Sequence, residues 1–262
     1  MLNERQLHAW QALNFGPAWL PRQALNLADG LVSDSGTQAP SQADQLTIES
    51  ARSTDAAQSP GNRSVGLVPV DAWLDLRQRV ESCTACPLGR SRQRAVLGSG
   101  PVSAPWMLVG EAPGAEEDRT GEPFVGRAGE LLDSILSAVG LDRRNEVYVA
   151  NVIKCRPPDN RNPEPDEIGR CEPYLNQQVK LVKPRLLVLM GRFAAQTLLG
   201  TEAAIASLRG RVHEVKIGGE LLPAVVTYHP AYLLRNPADK VKAWSDWCLA
   251  RRVMADLGAK AA

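Results

Sequence analysis

The sequence predicts an α/β domain of three layers, α/β/α, with helices on both faces of a central, mainly parallel sheet across residues 70–262. Three observations carry this. Short apolar runs recur: WMLVG at 106–110, VYVAN at 147–151 and RLLVLMG at 185–191. Segments with helical spacing lie between them. The runs also lack the polar alternation of a half-exposed strand, as expected when both faces are covered.

Each element has its own justification. VDAWLDLRQRVESC opens the domain near Val70 with Trp73, Leu76 and Val80 at helical spacing. WMLVG then runs into a glycine-rich loop, GEAPGAEEDRTGEPFVGRAG, from Gly110 to Gly129. AGELLDSILSAVG (128–140) has helical period and a terminal glycine stop. VYVAN is a β-branched strand, and Pro165–Val182 reads as a helix with Pro165 in its first turn. After RLLVLMG come a helix over 192–199 and two short strands near 212–217 and 224–227. A loop containing His229 leads to a last helix from about Pro237 to Leu257. In such folds ligands bind beyond the carboxyl ends of the strands. Gly110, Asn151, Gly191 and His229 all fall at or just past such ends.

Upstream, residues 1–26 read as a short helical segment, with Leu7, Trp10 and Leu13 at roughly helical spacing. Residues 27–69 are rich in Ser, Gln, Ala, Asp and Gly and read as a disordered linker, because they bury too little apolar surface to offset their ordering entropy. The chain is 262 residues long, 44% hydrophobic and 23% charged, with a net charge of +1. No global basic field advertises a polyanion, so a nucleic-acid binder of this composition needs a local patch. Arg90, Arg92 and Arg94 are one candidate for it. No run is long enough to span a bilayer, and the first residues lack the basic-then-apolar order of a signal peptide. A cytoplasmic location without membrane contact is expected.

Four cysteines look like ligands. Cys83 and Cys86 form a C-x2-C pair, with Cys155 and Cys171 further along the chain. In a cytosolic protein this favours a metal or a cluster over disulfides. Zinc and an iron–sulfur cluster both accept four thiolates, so spacing alone does not choose between them. Cys248 sits in an amphipathic helix and reads as a small core residue.

The glycine loop carries the chemistry. Glycine lets the backbone approach a flat ligand, while Glu111 adds a carboxylate and Phe124 a stacking face. With Asn151 and His229 at neighbouring strand ends, the set points to an enzyme acting on a nucleobase. Taken singly, each residue has a plainer reading: Glu111 as a capping acid, Phe124 as core, Asn151 as a turn residue and His229-Pro230 as a loop. Glu116, Glu117 and Asp118 read as solvated loop acids.

GEAPG at 110–114, GEPFVGRAG at 121–129, NVIKCRPPDNRNP at 151–163 and HPAYLLRNP at 229–237 together resemble the family-four, iron–sulfur uracil-DNA glycosylases. The resemblance spans roughly residues 75–255, includes all four cysteines and leaves the N-terminal third outside. It implies a uracil-DNA glycosylase fold and a base-excision activity that hydrolyses the N-glycosidic bond of uracil in DNA, leaving an abasic site. Phe124 would stack on the flipped base, and the carboxamide of Asn151 would pair with O4 and N3 of uracil. His229, neutral and in a fixed tautomer, would donate to the leaving base. Glu111 would orient water and stabilise the sugar cation. Ala112, Pro113 and Gly114 would shape the loop beside the base and lend backbone contacts. Leu233 or Leu234 would fill the vacated stack while Arg235 meets phosphate. The resemblance also implies a [4Fe–4S] cluster on Cys83, Cys86, Cys155 and Cys171, a monomer, and a bacterial protein at the nucleoid.

Two other classes fit parts of the same pattern. One is a uracil-DNA binder without turnover, but Ala112 in GEAPG and the lack of a basic insertion favour turnover. The other is a DNA-associated iron–sulfur adaptor working through its N-terminal extension. That extension also suggests a replication or repair partner, because QALNF (Gln11–Phe15) is distantly like peptides that bind the sliding clamp.

Overall fold

The computed structural model describes residues 70–259. The helical segment expected at 1–26 and the linker expected at 27–69 lie outside the described residues, as do residues 260–262.

Five strands form one sheet in the order β2-β1-β3-β5-β4. These are β1 (Trp106–Gly110), β2 (Val147–Asn151), β3 (Leu186–Met190), β4 (Val212–Ile217) and β5 (Glu220–Thr227). The pairs β1–β2, β1–β3 and β3–β5 are parallel. Only β4 is antiparallel, joined to β5 by a hairpin through Gly218 and Gly219, both at positive φ.

Every residue of β1, β2 and β3 is buried, the burial expected of a parallel sheet covered on both sides. Alternate residues feed opposite layers. Trp106, Leu108, Val149 and Val188 pack on one face with Leu132 and Ile135 of α4 (Arg127–Ala138), Leu233 of α8 (Pro230–Arg235) and Trp247 of α9 (Lys240–Ala259). Met107, Val109, Ala150 and Leu189 pack on the other with Leu175 and Val179 of α5 (Pro165–Val182), Ala194 and Ala195 of α6 (Arg192–Leu199), and Leu208 of α7 (Ile205–Leu208). The opening helix α1 (Val70–Glu81) lies outside this core. Its Leu76 and Val80 meet Leu97 and the α5 residues Tyr174 and Leu181. Two short helices, α2 (Leu88–Ser91) and α3 (Ala115–Thr120), sit in connections that read as loops in the sequence. The last helix starts at Lys240, after a separate 3-10 turn over Pro237–Asp239. No helix among the described residues is long and apolar enough to cross a membrane.

The strand order reverses at β1, whose neighbours β2 and β3 lead the chain in opposite directions. A crevice opens where such a reversal occurs, at the carboxyl ends of the strands. Register places Gly110 beside Asn151, and Met190 beside Thr227. The ends of β1, β2, β3 and β5 therefore deliver Glu111, Asn151, Gly191 and His229 to one region.

Candidate active site

That region is a cleft of about 850 Å³. Glu111, Ala112, Pro113, Gly114, Phe124, Asn151, His229 and Arg235 all line it, so eight of the residues singled out in the sequence share one cavity.

Backbone geometry fixes the aromatic wall. Phe124 has φ of 55°, a left-handed conformation that is costly for a side chain of this size. Three contacts hold it there. Arg143 donates to the carbonyls of Phe124 (3.2 Å) and Pro123 (2.7 Å) and pairs with Asp133. Gly129 passes so close to the Phe124 carbonyl that any Cβ would collide with it. Gly110 has the same role under the ring, since a Cβ there would lie 2.9 Å from Phe124 Cζ and would also strike the Asn151 side chain. The Phe124 ring, 5% exposed, stacks on His229 with centroids 5.4 Å apart.

Glu117 ties the loop to itself. One carboxylate oxygen accepts from the Gly114 N–H (3.1 Å), and the other accepts from the N–H groups of Val125 (3.1 Å) and Gly126 (3.4 Å). Asp118, 4% exposed, accepts from the N–H groups of Gln93 and Arg94. The expectation of solvated acids holds for Glu116 and fails for these two, because unpaired backbone N–H groups draw a carboxylate inward. The Gly114 N–H serves Glu117 and its carbonyl accepts from Asp118 N–H, so both backbone groups help to shape the loop.

Asn151 is buried and its Oδ1 has no hydrogen-bond partner among the described residues. A buried, unsatisfied acceptor costs stability unless a ligand or water supplies the donor. The following turn is fastened to the glycine loop: Val152 N–H donates to the Gly110 carbonyl, and Ile153 N–H to that of Glu111.

His229 caps α8. Its Nδ1 accepts from the Ala231 N–H at 3.1 Å, which leaves the ring proton on Nε2. Burial, aided by the charge of Arg235, lowers its pKa to about 4. The imidazole is therefore neutral at physiological pH, with one nitrogen committed and the other a donor. Part of the ring still faces the cleft. Glu111 moves the other way: burial raises its pKa to about 7, against a lowering pull from Arg192. No hydrogen bond reaches its carboxylate among the described residues. Arg192, first residue of α6, also lines the cleft and sits over the Phe193 ring at 4.6 Å.

The segment after His229 is a helix, which separates the two leucines expected to meet DNA. Leu233 is 1% exposed and packed in the core, so it has no face to offer DNA. Leu234 is half-buried and Arg235 exposed at the cleft rim. Below them, Tyr228 and Tyr232 stack at 4.8 Å, Arg209 covers Tyr228 at 4.3 Å, and Tyr232 donates to Asp239 at 2.6 Å. Sequence reading missed Arg143, Arg192 and this tyrosine pair. Arg192 follows the end of β3 directly, so the strand-end rule that found Asn151 also points to it. Arg143 left no local signal, as its partners Asp133, Phe124 and Pro123 lie 10, 19 and 20 residues away.

The four cysteines line a second pocket, with Arg92 and Lys154. Among the described residues no three His, Cys, Asp or Glu side chains come close enough to share one metal ion. Arg92 donates to Cys155 Sγ (2.8 Å) and Lys154 N–H to Cys171 Sγ (3.2 Å). Burial raises the Cys155 thiol and pushes Cys171 up to about 11, so thiolates here require compensating positive charge. Arg92 is turned to this pocket rather than to a surface patch with Arg90 and Arg94, both exposed.

Comparison with known proteins agrees with this geometry. Residues 97–248 match the family model of the uracil DNA glycosylase superfamily. A type-4 uracil-DNA glycosylase of Pyrobaculum aerophilum is 43% identical over 167 residues, covering 62% of this chain and 85% of that protein. Another, of Archaeoglobus fulgidus, is 42% identical over 177 residues, covering 66% and 88%. A third, of Thermotoga maritima, is 42% identical over 166 residues, covering 63% and 84%. With a family model matching more than half its length and relatives covered almost end to end, this chain belongs to the type-4 uracil-DNA glycosylases of the uracil DNA glycosylase superfamily.

Proposed function

We propose that this protein removes uracil from DNA by hydrolysing the N-glycosidic bond, the first step of base-excision repair. The observation that carries the reading is the pairing, in one cleft, of an unpartnered Asn151 Oδ1 with a histidine held neutral and protonated on Nε2.

Uracil enters the cleft flipped out of the stack, against the Phe124 ring. The Asn151 amide N–H donates to O4, and the unsatisfied Oδ1 accepts from N3–H. Cytosine offers a donor where uracil has O4 and an acceptor where uracil has N3–H, so both bonds fail. As the C1′–N1 bond breaks, its electron pair departs on the base as an anion spread over O2 and O4. The Nε2–H of His229 donates to O2 and stabilises that charge without transferring its proton. The sugar is left with oxocarbenium character. A water adds at C1′, oriented by the Glu111 carboxylate, which accepts its proton as the abasic sugar forms. A Glu111 pKa near 7 suits a group that must be anionic before the water adds and able to take a proton afterwards. Leu234 fills the gap in the duplex and Arg235 meets phosphate, with Ala112 and Pro113 bounding the base edge.

Cys83, Cys86, Cys155 and Cys171 would hold a [4Fe–4S] cluster. What supports this is that the four cysteines line one pocket and that two donors are aimed at its sulfurs. Bound there, the cluster supplies a four-point crosslink joining the start of the domain, the turn after Asn151 and α5. On this reading the protein acts as a monomer at the nucleoid, where its DNA substrate lies.

The test is cleavage of an oligonucleotide with a single uracil, developed with alkali, using protein purified without oxygen. Cleavage at uracil by the wild type, and its loss in His229→Ala and Glu111→Ala, is the expected result. Tight binding without an abasic product would replace the glycosylase reading with that of a binder.

A further inference from the structure

Between the cysteine pocket and the base-reading asparagine lies one side chain that the proposed chemistry does not use. Lys154 is 1% exposed, an unusual place for a lysine. Its Nζ donates to the Asn151 backbone carbonyl at 2.7 Å. Its own N–H donates to Cys171 Sγ, its carbonyl accepts from Val96 N–H at 2.8 Å, and its neighbour in the chain is Cys155. The residue is part of the lining of the cysteine pocket. Among the described residues it forms no ion pair with a carboxylate, and each of the nine ion pairs found there involves other side chains.

A buried ammonium with no carboxylate partner is costly unless another anion compensates it. Among the described residues, the candidates beside it are the cysteine sulfurs. Four thiolates carry more negative charge than the cluster core they would ligate neutralises, so a loaded pocket would be anionic, and Lys154 is the buried countercharge beside Arg92 and Arg170. The same ammonium holds the carbonyl of Asn151, at the end of β2, whose carboxamide waits unpartnered in the cleft.

We propose that Lys154 is a positioning residue that links the two sites: its ammonium neutralises the thiolate-bound cluster and, through its bond to the Asn151 carbonyl, sets the residue that reads uracil. This rests on the glycosylase and cluster readings above. It gives the cluster a consequence at the pocket beyond crosslinking, because a lost cluster strands a buried charge directly behind Asn151.

The experiment compares wild type, Lys154→Met and Lys154→Arg, each as holoprotein purified without oxygen. Two quantities are read. One is the rate at which an iron chelator bleaches the visible absorbance, with iron and sulfide counted per chain. The other is the ratio of affinities for a duplex bearing one non-cleavable 2′-fluorinated deoxyuridine and the same duplex bearing cytosine. Lys154→Met is expected to bleach about tenfold faster, in the range seen when outer partners of metal ligands are removed. Its uracil-to-cytosine ratio is expected to fall about tenfold, as for a lost charged hydrogen bond. Lys154→Arg, which keeps charge and donors, should recover most of both. A Met variant matching wild type in either quantity overturns the link. An Arg variant as impaired as the Met variant also overturns it, by showing that packing alone is at stake; if the Met variant does not fold, folded Arg protein that has lost wild-type cluster retention and uracil preference overturns it. A wild type with no uracil preference would fail the glycosylase reading instead, and a wild type without iron would fail the cluster and this proposal together.

Discussion

Two segments bring the proposed chemistry to the cleft, and they are built on different principles. The Gly110–Gly129 segment is braced, across its own loop and by Arg143 from beyond it. Its Phe124 is kept at φ 55° by Arg143, by the close passage of Gly129, and by a Glu117 carboxylate bridging three N–H groups. The Thr227–Arg235 segment holds itself. His229 caps its own helix two residues on, Pro230 takes the first helical position, and Leu233 anchors the turn in the core. Burial acts on both, yet with opposite results for use. It drives His229 far from the physiological range and locks it neutral, while it brings Glu111 into that range. The self-contained segment carries the fixed donor, and the braced one carries the group that changes charge.

The largest effect that could break this contrast is at the fixed donor. His229→Ala should lower kcat/KM by about 10²–10³-fold, the cost of one preorganised oxyanion donor, and lower the thermal midpoint by a few degrees for the lost helix cap, about 1 kcal/mol. Steady-state kinetics on a uracil oligonucleotide checks it, and a loss confined to KM would contradict the assigned role. Next in size is the anchor. Leu233→Ala should cost about 3 kcal/mol in denaturant unfolding, as for other buried leucines, whereas Leu234→Ala should cost much less and weaken duplex binding instead. Comparable unfolding costs for the two would mean that the helix does not sort them as described. For the braced segment, Arg143→Met removes two charged hydrogen bonds and should raise KM by about tenfold, with a smaller change in kcat. An unchanged KM would show that Phe124 keeps its place without the brace. The smallest effect is a stability change at Glu111. Its folded pKa lies above the ordinary carboxyl value, so its contribution to stability is full below about 4.5 and is lost as pH rises through about 7. Glu111→Gln should therefore be more stable than wild type at pH 8 by about 1–2 kcal/mol, allowing for screening of a partly exposed group, and level with it at pH 4.

Much of this was legible in the chain, for identifiable reasons. β1, β2 and β3 are apolar along their whole length because both faces are buried, and a run of that kind stands out. Pro165–Val182 was bounded correctly because its first-turn proline and its periodicity agree. α3 was hidden, since AEEDRT has no apolar period, and its main signal is Glu117 reaching back to Gly114 N–H. α8 was read as a loop although a proline at its first position marks a helix start, and that error let Leu233 pass as a DNA contact. β5 begins four residues before the apolar stretch that suggested it, because pairing with β4 extends a strand through exposed Glu220 and Leu221. Among site residues, those at strand ends were found from topology. Arg143, Glu117 and Lys154 act through backbone groups that no sequence pattern displays.

The most direct measurement is the pH dependence of kcat/KM on a single-uracil oligonucleotide, from pH 5 to 9, for wild type and Glu111→Gln. Neutral His229 contributes no limb in that window, because its pKa lies near 4. Wild-type kcat/KM should rise about tenfold per pH unit up to about 7 as Glu111 ionises and then level off, while the Gln variant is slow and flat. A rate that falls as pH rises through 7, or a limb that survives in the variant, would contradict the division of labour between a fixed neutral donor and an ionising carboxylate.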